Sequence, residues 1–287
     1  MSKGELIDDE KQKEHIADLY NRVAPVYGHV GPNFFEYAGR HMVEHIGITN
    51  GSHVLDVAAG RGANLFPAAE KVGSHGQVIG IDLAEGMVRE TSLEIQRREL
   101  HHAKMLQMDA ESLAFPDNSF EYILSGFAIF LFPHVEQALS EFFRVLRIDG
   151  KLGITVAQDL DVLSKWYGER ITEFQRRYGF PLSAGGGKGS NYAELPQYLA
   201  SAGFSNVRIL QEQGDFVYSN EQEWWDSRWT HGTRYALERM TPEVLALFKA
   251  EVFDKLAQEA KSNGLRESLL VQYILVDKKR VPPTIGC

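Results

Sequence analysis

The sequence predicts an α/β fold, a doubly wound, seven-stranded sheet between helical layers, topped by a mostly helical cap. Three observations predict it. The apolar run Val54–Val57 ends in a small-residue turn, Ala58-Ala59-Gly60-Arg61-Gly62, with a helix-like pattern after it. The next apolar strand ends in an acid, Gly80-Ile81-Asp82-Leu83, about twenty residues downstream. Strand-like and helix-like stretches then alternate, which implies parallel pairing with right-handed crossovers.

The elements follow in order. Residues 8–22 place Ile16, Leu19, Tyr20 and Val23 at the spacing of an amphipathic helix. Ala24-Pro25-Val26-Tyr27-Gly28-His29 breaks it. A second helix runs from Phe34 to Ile46, and Asn50-Gly51 turns the chain into the strand His53–Val57. A helix is expected to start at Ala63 or Asn64. Gln77–Asp82 reads as a strand, Glu85–Leu100 as a helix, and Lys104–Met108 and Phe120–Ser125 as strands. Val135–Arg147 is a helix with Val135, Leu139, Phe142 and Leu146 on one face. Asp149-Gly150 leads into the strand Lys151–Val156. Residues 158–190 read as an insertion with one amphipathic helix and the glycine-rich loop Ser183–Ser190. Tyr192–Ala202 reads as a helix ended by Gly203, and Ser205–Gln211 as a strand. Residues 215–262 form a second insertion, with the helix Pro242–Ser262, before the last strand Leu269–Val276. The expected organisation is a helical lid over 1–47, a ligand-binding core over 48–157, cap insertions at 158–190 and 215–262, core at 191–214, and a last strand and tail over 263–287.

With 287 residues the chain suffices for one large domain with a substantial cap. A net charge of −9 argues against nucleic acid, whose phosphates need a basic face. No apolar run approaches the roughly 18 residues of a spanning helix, and the first ten residues lack the apolar core of a signal peptide. Cys287 is the only cysteine, so neither internal disulfides nor a thiolate metal site is expected. The expectation is a cytoplasmic monomer or homodimer with no nucleic acid partner and no membrane span.

Gly60 and Gly62 let the turn backbone approach a ligand closely. The helix that follows aims free N–H groups at a carboxylate or phosphate there. Asp82 suits the two hydroxyls of a ribose. Leu65 stands where a dinucleotide fingerprint has its third glycine, so the pyrophosphate pattern is incomplete. Asp109, after the third strand, can accept from an adenine amino group. Together these residues grip a nucleoside from both ends without a second phosphate.

With these pieces in view, the chain resembles class I S-adenosylmethionine-dependent methyltransferases, whose sheet is Rossmann-like. It is similar to their small-molecule branch, which includes the ubiquinone and menaquinone C-methyltransferases. The resemblance rests on Leu55–Gly62, Gly80–Met87, Met108–Glu111, Phe115–Phe120 and Arg144–Leu152, in family order over about residues 50–157, and upstream on Tyr20–Tyr27. Ala58 departs from it, since many members have glycine there. The resemblance implies that Asp56, Ala58, Gly60 and Gly62 border the methionine part of the cofactor. Asp82 would hold its ribose, with Leu83 and Met87 beside the adenine and Asp109 and Ala110 on the adenine edge. Ser125, Gly126 and Phe127 would face the transferring methyl, with Tyr27 closing over the cofactor. The implied product is S-adenosylhomocysteine.

The expected reaction is direct displacement on the sulfonium methyl. Alignment supplies ~7–11 kcal/mol of the barrier reduction. A general base adds only about 10²–10⁴-fold. Candidate bases are His134, near the carboxyl edge of the fourth strand, and His231. His231 lies in Trp224-Trp225-Asp226-Ser227-Arg228-Trp229-Thr230-His231-Gly232-Thr233-Arg234-Tyr235. In that segment Trp224, Trp225, Trp229 and Tyr235 are candidate walls for a small apolar or aromatic acceptor, a quinone, phenol or related natural product. The bland readings are an N-cap neighbour for His134 and cap packing for the aromatic residues.

His41-Met42-Val43-Glu44-His45 matches an inverted zinc-protease pattern and puts both histidines on one helix face. It lies in the helix feeding the first strand, so no metal is expected. His101-His102 reads as a solvated end, Gly185–Ser190 as a loop rather than a phosphate cradle, and the Arg97-Arg98 and Arg176-Arg177 pairs as solvated faces. Two rival functions remain. One is a methyltransferase-fold protein that binds the cofactor without transferring methyl, as a cyclase or regulator. The other is a nicotinamide-dependent oxidoreductase, which Leu65 and Asp109 oppose.

Overall fold

Side-chain alternation along the strands sets the layers. Val54 and Val78 pack on one face of the sheet, and Leu55, Val57, Ile79 and Ile81 on the other. The computed structural model describes residues 9–181, 194–263 and 265–279. The Ser183–Ser190 loop lies outside them.

The strands are β1 (His53–Val57), β2 (Gln77–Asp82), β3 (Ala103–Gln107), β4 (Phe120–Gly126), β5 (Leu146–Leu160), β6 (Ser205–Val217) and β7 (Arg266–Asp277). They form one seven-stranded sheet in the order β3-β2-β1-β4-β5-β7-β6. Pairing is parallel from β3 to β5, but β7 runs antiparallel to both β5 and β6. The alternation predicted parallel strands throughout. The last strand differs because the chain leaves β6 and re-enters the sheet at the same end, where Val217 pairs with Arg266. No crossover intervenes, so the two strands must be antiparallel.

The helices are α1 (Asp9–Val23), α2 (Phe34–Ile46), α3 (Leu65–Val72), α4 (Glu85–Arg97), α5 (Val135–Val145), α6 (Val162–Tyr178), α7 (Leu195–Ser201), α8 (Glu221–Ser227), α9 (Arg234–Leu237) and α10 (Pro242–Asn263). On α5, Val135, Ala138, Leu139, Phe142 and Val145 recur at helical spacing and bury against one face of the sheet, where α7 joins them. On the opposite face, α2 contributes Ala38, Met42, Val43 and Ile46 beside α3. α1 lays Ile16, Leu19 and Val23 against Ala84 and Met87 at the start of α4.

The cap has its own core. Leu163, Tyr167 and Phe174 of α6 meet Trp224 of α8, Leu237 of α9, and Phe248 and Val252 of α10. Strands β5 and β6 extend beyond the expected Val156 and Gln211 to Leu160 and Val217, so the sheet itself reaches into this cap.

Candidate active site

β1 lies between β2 and β4, so strand order reverses beside it and opens a crevice at the carboxyl ends of β1 and β4. The turn Ala58–Gly62 leaves β1 at that point. Gly60 (φ +52°) and Gly62 (φ +82°) hold left-handed backbone, and so does Ala58 at φ +53°. An alanine there carries roughly 1–2 kcal/mol of strain that glycine would not. Among the described residues, nothing stands within 4 Å of where a Cβ on Gly60 would point. α2 seats directly on the turn, because a Cβ on Gly39 would lie 2.1 Å from the Ala63 carbonyl oxygen. The helix α3 begins at Leu65, slightly later than Ala63 or Asn64.

Two acids flank this turn, Asp82 half-buried and Asp56 fully buried. The Gly60 N–H donates to Asp82 Oδ2 at 2.9 Å and the Ala84 N–H to Oδ1 at 2.9 Å. Burial still pushes the Asp82 carboxyl up to about 6. Asp56 is 0% exposed. Its Oδ1 accepts from Asn64 Nδ2 at 3.0 Å, its Oδ2 has no partner among the described residues, and burial pushes the carboxyl up to about 7. The Ser125 hydroxyl is likewise buried without a partner among the described residues. Phe127 sits at φ +53°, a bulky side chain in left-handed backbone, as happens where a site holds strain.

Three cavities meet here. The first, about 220 Å³, lies over the turn and is walled by Tyr27, Gly60, Gly62, Asn64 and Phe127. The second, about 90 Å³, is walled by Asp82, Leu83, Met87, Asp109 and Ala110, and shares Tyr27, Ala58, Gly60 and Phe127 with the first. Eleven of the thirteen residues expected at the cofactor therefore line one or both. Asp56 and Ser125 are buried and line neither.

Asp109 is already engaged. Its Oδ1 accepts the Glu111 N–H at 2.9 Å and its Oδ2 accepts from Lys13 Nζ at 2.8 Å. Lys13 also lies 2.6 Å from Glu111 Oε2. Thus α1 closes the second cavity with a cation, a feature no motif in the sequence announced. Tyr27 is half-buried and stacks on Phe35 at 5.0 Å, and desolvation, then Tyr20 and Asp82, hold its phenol far above its ordinary pKa.

The third cavity, about 370 Å³, is mainly apolar, with the rings of Phe34, Phe35, Phe216 and Tyr218 in its walls. It shares Gly28, Asn33 and Phe35 with the first. One side is polar. Arg228 pairs with Glu267 at 2.9 Å, and Glu267 accepts from Tyr218 at 2.6 Å and from Ser164 at 3.0 Å.

His231 lines this cavity. Burial and then Arg228 push its pKa down to about 3, so it is neutral at physiological pH. Its Nδ1 is 3.3 Å from Thr233 Oγ1, whose only proton goes to the Arg228 carbonyl at 2.6 Å. A hydrogen bond across that contact puts the ring proton on Nδ1 and leaves Nε2 with the lone pair.

The structure sets His134 apart from the cavities. Its ring is 48% exposed and its Nε2 lies 3.1 Å from Asp9 Oδ2. Its backbone N–H donates to Glu111 at 2.7 Å in the N-cap position of α5. The aromatic candidates shift too. Trp224 and Trp225 are buried in the cap core, with Trp229 packed against it, and Tyr235 is buried against α1 and α4. None of the four lines the three cavities. The Trp224 ring instead supports the Arg228 guanidinium, 4.2 Å from its centroid. The aromatic walls come from Phe34–Phe35 and from Phe216 and Tyr218, whose period-two spacing at the end of β6 is the signal that marks them.

Residues 54–150 match the family described as a methyltransferase domain. The chain is 30% identical over 272 residues to nocamycin O-methyltransferase of Saccharothrix syringae, covering 89% of this chain and 96% of that one. It is 36% identical over 149 residues to an aklanonic acid methyltransferase of a Streptomyces strain, covering 52% and 68%. A demethylmenaquinone methyltransferase of Listeria monocytogenes is 24% identical over 222 residues, covering 71% and 93%. Among solved structures, the YcgJ protein of a Bacillus shares the fold with a TM-score of 0.58 at 19% identity, covering 85% and 100%. The [4+2]-cyclase SpnF does so with 0.55 at 18%, covering 95% of each chain. With the crevice, its acids and these relatives together, the chain belongs to the S-adenosylmethionine-dependent methyltransferases, in the branch that acts on small-molecule acceptors.

Proposed function

We propose that the chain transfers methyl to an oxygen of a planar, largely apolar acceptor held in the aromatic cavity. A phenol, an enol or a carboxylic acid on a polycyclic or quinone-like frame fits best. The observation that carries this is the shared wall. Gly28, Asn33 and Phe35 belong both to the cavity over the glycine turn and to the aromatic one, so two ligands can meet there.

The residues fit the cofactor. Space opens above Gly60, an acid closes β2, and one buried and one half-buried carboxyl group suit a ligand that bears cationic sulfonium and ammonium groups. Asp82 would hold the ribose hydroxyls, and Leu83 and Met87 the adenine faces. Asp109, together with Lys13, would border the adenine edge. Gly60, Gly62 and Asn64 would lie along the amino-acid tail, with Asp56 and Ser125 behind them and Tyr27 and Phe127 at the reacting end. The bound cofactor supplies an activated methyl group. The chain aligns the acceptor, excludes water, and through His231 Nε2 accepts the acceptor's hydroxyl proton. Alignment contributes ~7–11 kcal/mol and the base a smaller share. The relative named for nocamycin O-methylation supports an oxygen acceptor.

The fold is also shared with a cyclase, so the alternative is cofactor binding without methyl transfer. The charge of −9 supports a protein that does not bind nucleic acid, and we place it in the cytoplasm as a monomer or homodimer. Among the described residues no helix is long and apolar enough to cross a membrane.

The test is to incubate the protein with methyl-labelled cofactor and a panel of polycyclic phenols, enols, carboxylic acids, quinols and amines. Label in an oxygen-linked product, with stoichiometric S-adenosylhomocysteine, is expected. Tight cofactor binding with no labelled product from any acceptor would favour the non-methylating reading.

A further inference from the structure

We propose that His41, His45 and Glu212 form a site for a divalent transition-metal ion of the zinc class, which fastens α2 to the edge strand β6. The histidines stand one helical turn apart on one face of α2. Glu212, from β6, places one carboxylate oxygen before each. Oε2 is 2.5 Å from His41 Nδ1, and Oε1 is 2.8 Å from His45 Nε2. One donor atom from each residue lies within 4.8 Å of the others.

That spacing suits an ion. Zinc takes nitrogen and oxygen ligands at about 2.0–2.2 Å, so tetrahedral ligand atoms stand about 3.4 Å apart, reached here by small side-chain rotations. Two imidazoles and one carboxylate select zinc, cobalt or nickel over calcium or magnesium, which prefer oxygen alone. Among the described residues, the ion pairs recorded for Glu212 are with these two histidines alone.

The surroundings are those of a supported ligand set. The Tyr37 ring packs 4.3 Å from His41, and the Tyr273 ring 4.9 Å from His45. Tyr273 is 0% exposed and its hydroxyl has no partner among the described residues. A water on the open fourth position of a three-ligand site would give it one.

The site lies away from the methyl-transfer crevice, and no chemistry of that reaction runs through it. Its lever is geometric. α2 begins with Phe34 and Phe35, and β6 carries Phe216 four residues after Glu212. All three wall the aromatic cavity, and Phe34 and Phe216 touch with centroids 6.0 Å apart. An ion bridging α2 and β6 would therefore hold that wall in register.

The test uses the full-length protein stripped of metal with chelator and titrated with Zn²⁺ and, separately, Co²⁺. One equivalent should bind, with a rise in melting temperature and, for Co²⁺, the intense visible bands of tetrahedral coordination. His45→Gln and Glu212→Gln should abolish the Co²⁺ bands and the Zn²⁺-dependent thermal shift while S-adenosylmethionine still binds. X-ray absorption at the zinc edge of the unmutated protein should show two imidazoles, a reading that needs no variant to fold. Absence of binding at micromolar Zn²⁺, an octahedral Co²⁺ spectrum, fewer than two imidazoles, or variants that bind as well as the parent would each overturn the proposal. None of these readouts depends on which acceptor is methylated.

Discussion

The Gly60 N–H donates to Asp82 Oδ2 at 2.9 Å, tying the turn after β1 to the end of β2. One carboxylate thus shapes the glycine turn and, in the proposed arrangement, holds the ribose. Burial raises Asp82 to about 6, so it is ionised above that pH and protonated below. S-adenosylmethionine affinity should fall as pH drops through 6, because the carboxylate accepts hydroxyl hydrogen bonds better than the acid. Hydrogen bonds to a charged group contribute about 1.5–3 kcal/mol, so Asp82→Asn should weaken binding roughly 10–100-fold and flatten that dependence. Calorimetric titrations between pH 5 and 8 check this; an unchanged affinity in Asp82→Asn would remove Asp82 from the site.

Asp56 makes a stability prediction of opposite sense to an ordinary ion-paired acid. Its folded value, about 7, lies above the unfolded value of 3.8. The folded state therefore binds the proton more tightly. The stability it contributes is full below pH 3.8 and is lost as pH rises through 7. Asp56→Asn keeps the shape and removes the titration. Relative to the parent, the variant should gain up to about 4 kcal/mol between pH 4 and 8 in the absence of cofactor. Urea unfolding of both proteins across that range measures it, and a constant difference would show that Asp56 does not titrate in the fold.

Lys13 is the cation between Asp109 and the nearly buried Glu111, which is 2% exposed. Removing it leaves two carboxylates facing each other with no counter-charge. Lys13→Ala should destabilise the protein by about 1–3 kcal/mol. Lys13→Met, which keeps the stem, should recover only the packing part. Thermal melts of the three proteins separate these contributions, and equal melting temperatures would reduce the ion pair to a surface contact.

The chain announced its core more clearly than its cap. β1, β2 and the helix α5 were legible because their apolar spacing and turn residues agree. That Asp82 and the glycines would meet at one crevice was legible because an acid ending one strand and a glycine turn ending its neighbour stand at fixed offsets. The cap misled in two ways. Its richest aromatic run, around Trp224, builds the cap's own core, while less conspicuous residues, Phe34, Phe35 and Phe216, wall the cavity. The partner of His45 was invisible, since Glu212 lies 167 residues away and no spacing rule spans that distance. The reversal of β7 was hidden for a related reason. Strand direction is set by where the cap returns the chain, not by the strand's own pattern.

His231 carries the last prediction. Its pKa of about 3 keeps the ring neutral throughout the working range, and the Thr233 contact leaves Nε2 with the lone pair. A base of such low pKa gives modest assistance, so His231→Gln should lower turnover toward the small end of the ~10²–10⁴-fold range for general bases. S-adenosylmethionine affinity should not move, because His231 lines the aromatic cavity and neither of the two cavities beside the glycine turn. The parent's turnover should also lack a limb near pH 6.5, where an unperturbed histidine titrates. More acidic phenols should lose less activity in the variant, because they arrive already ionised. If weakly and strongly acidic acceptors lost activity equally, His231 would be shaping the wall of the cavity and not taking the proton.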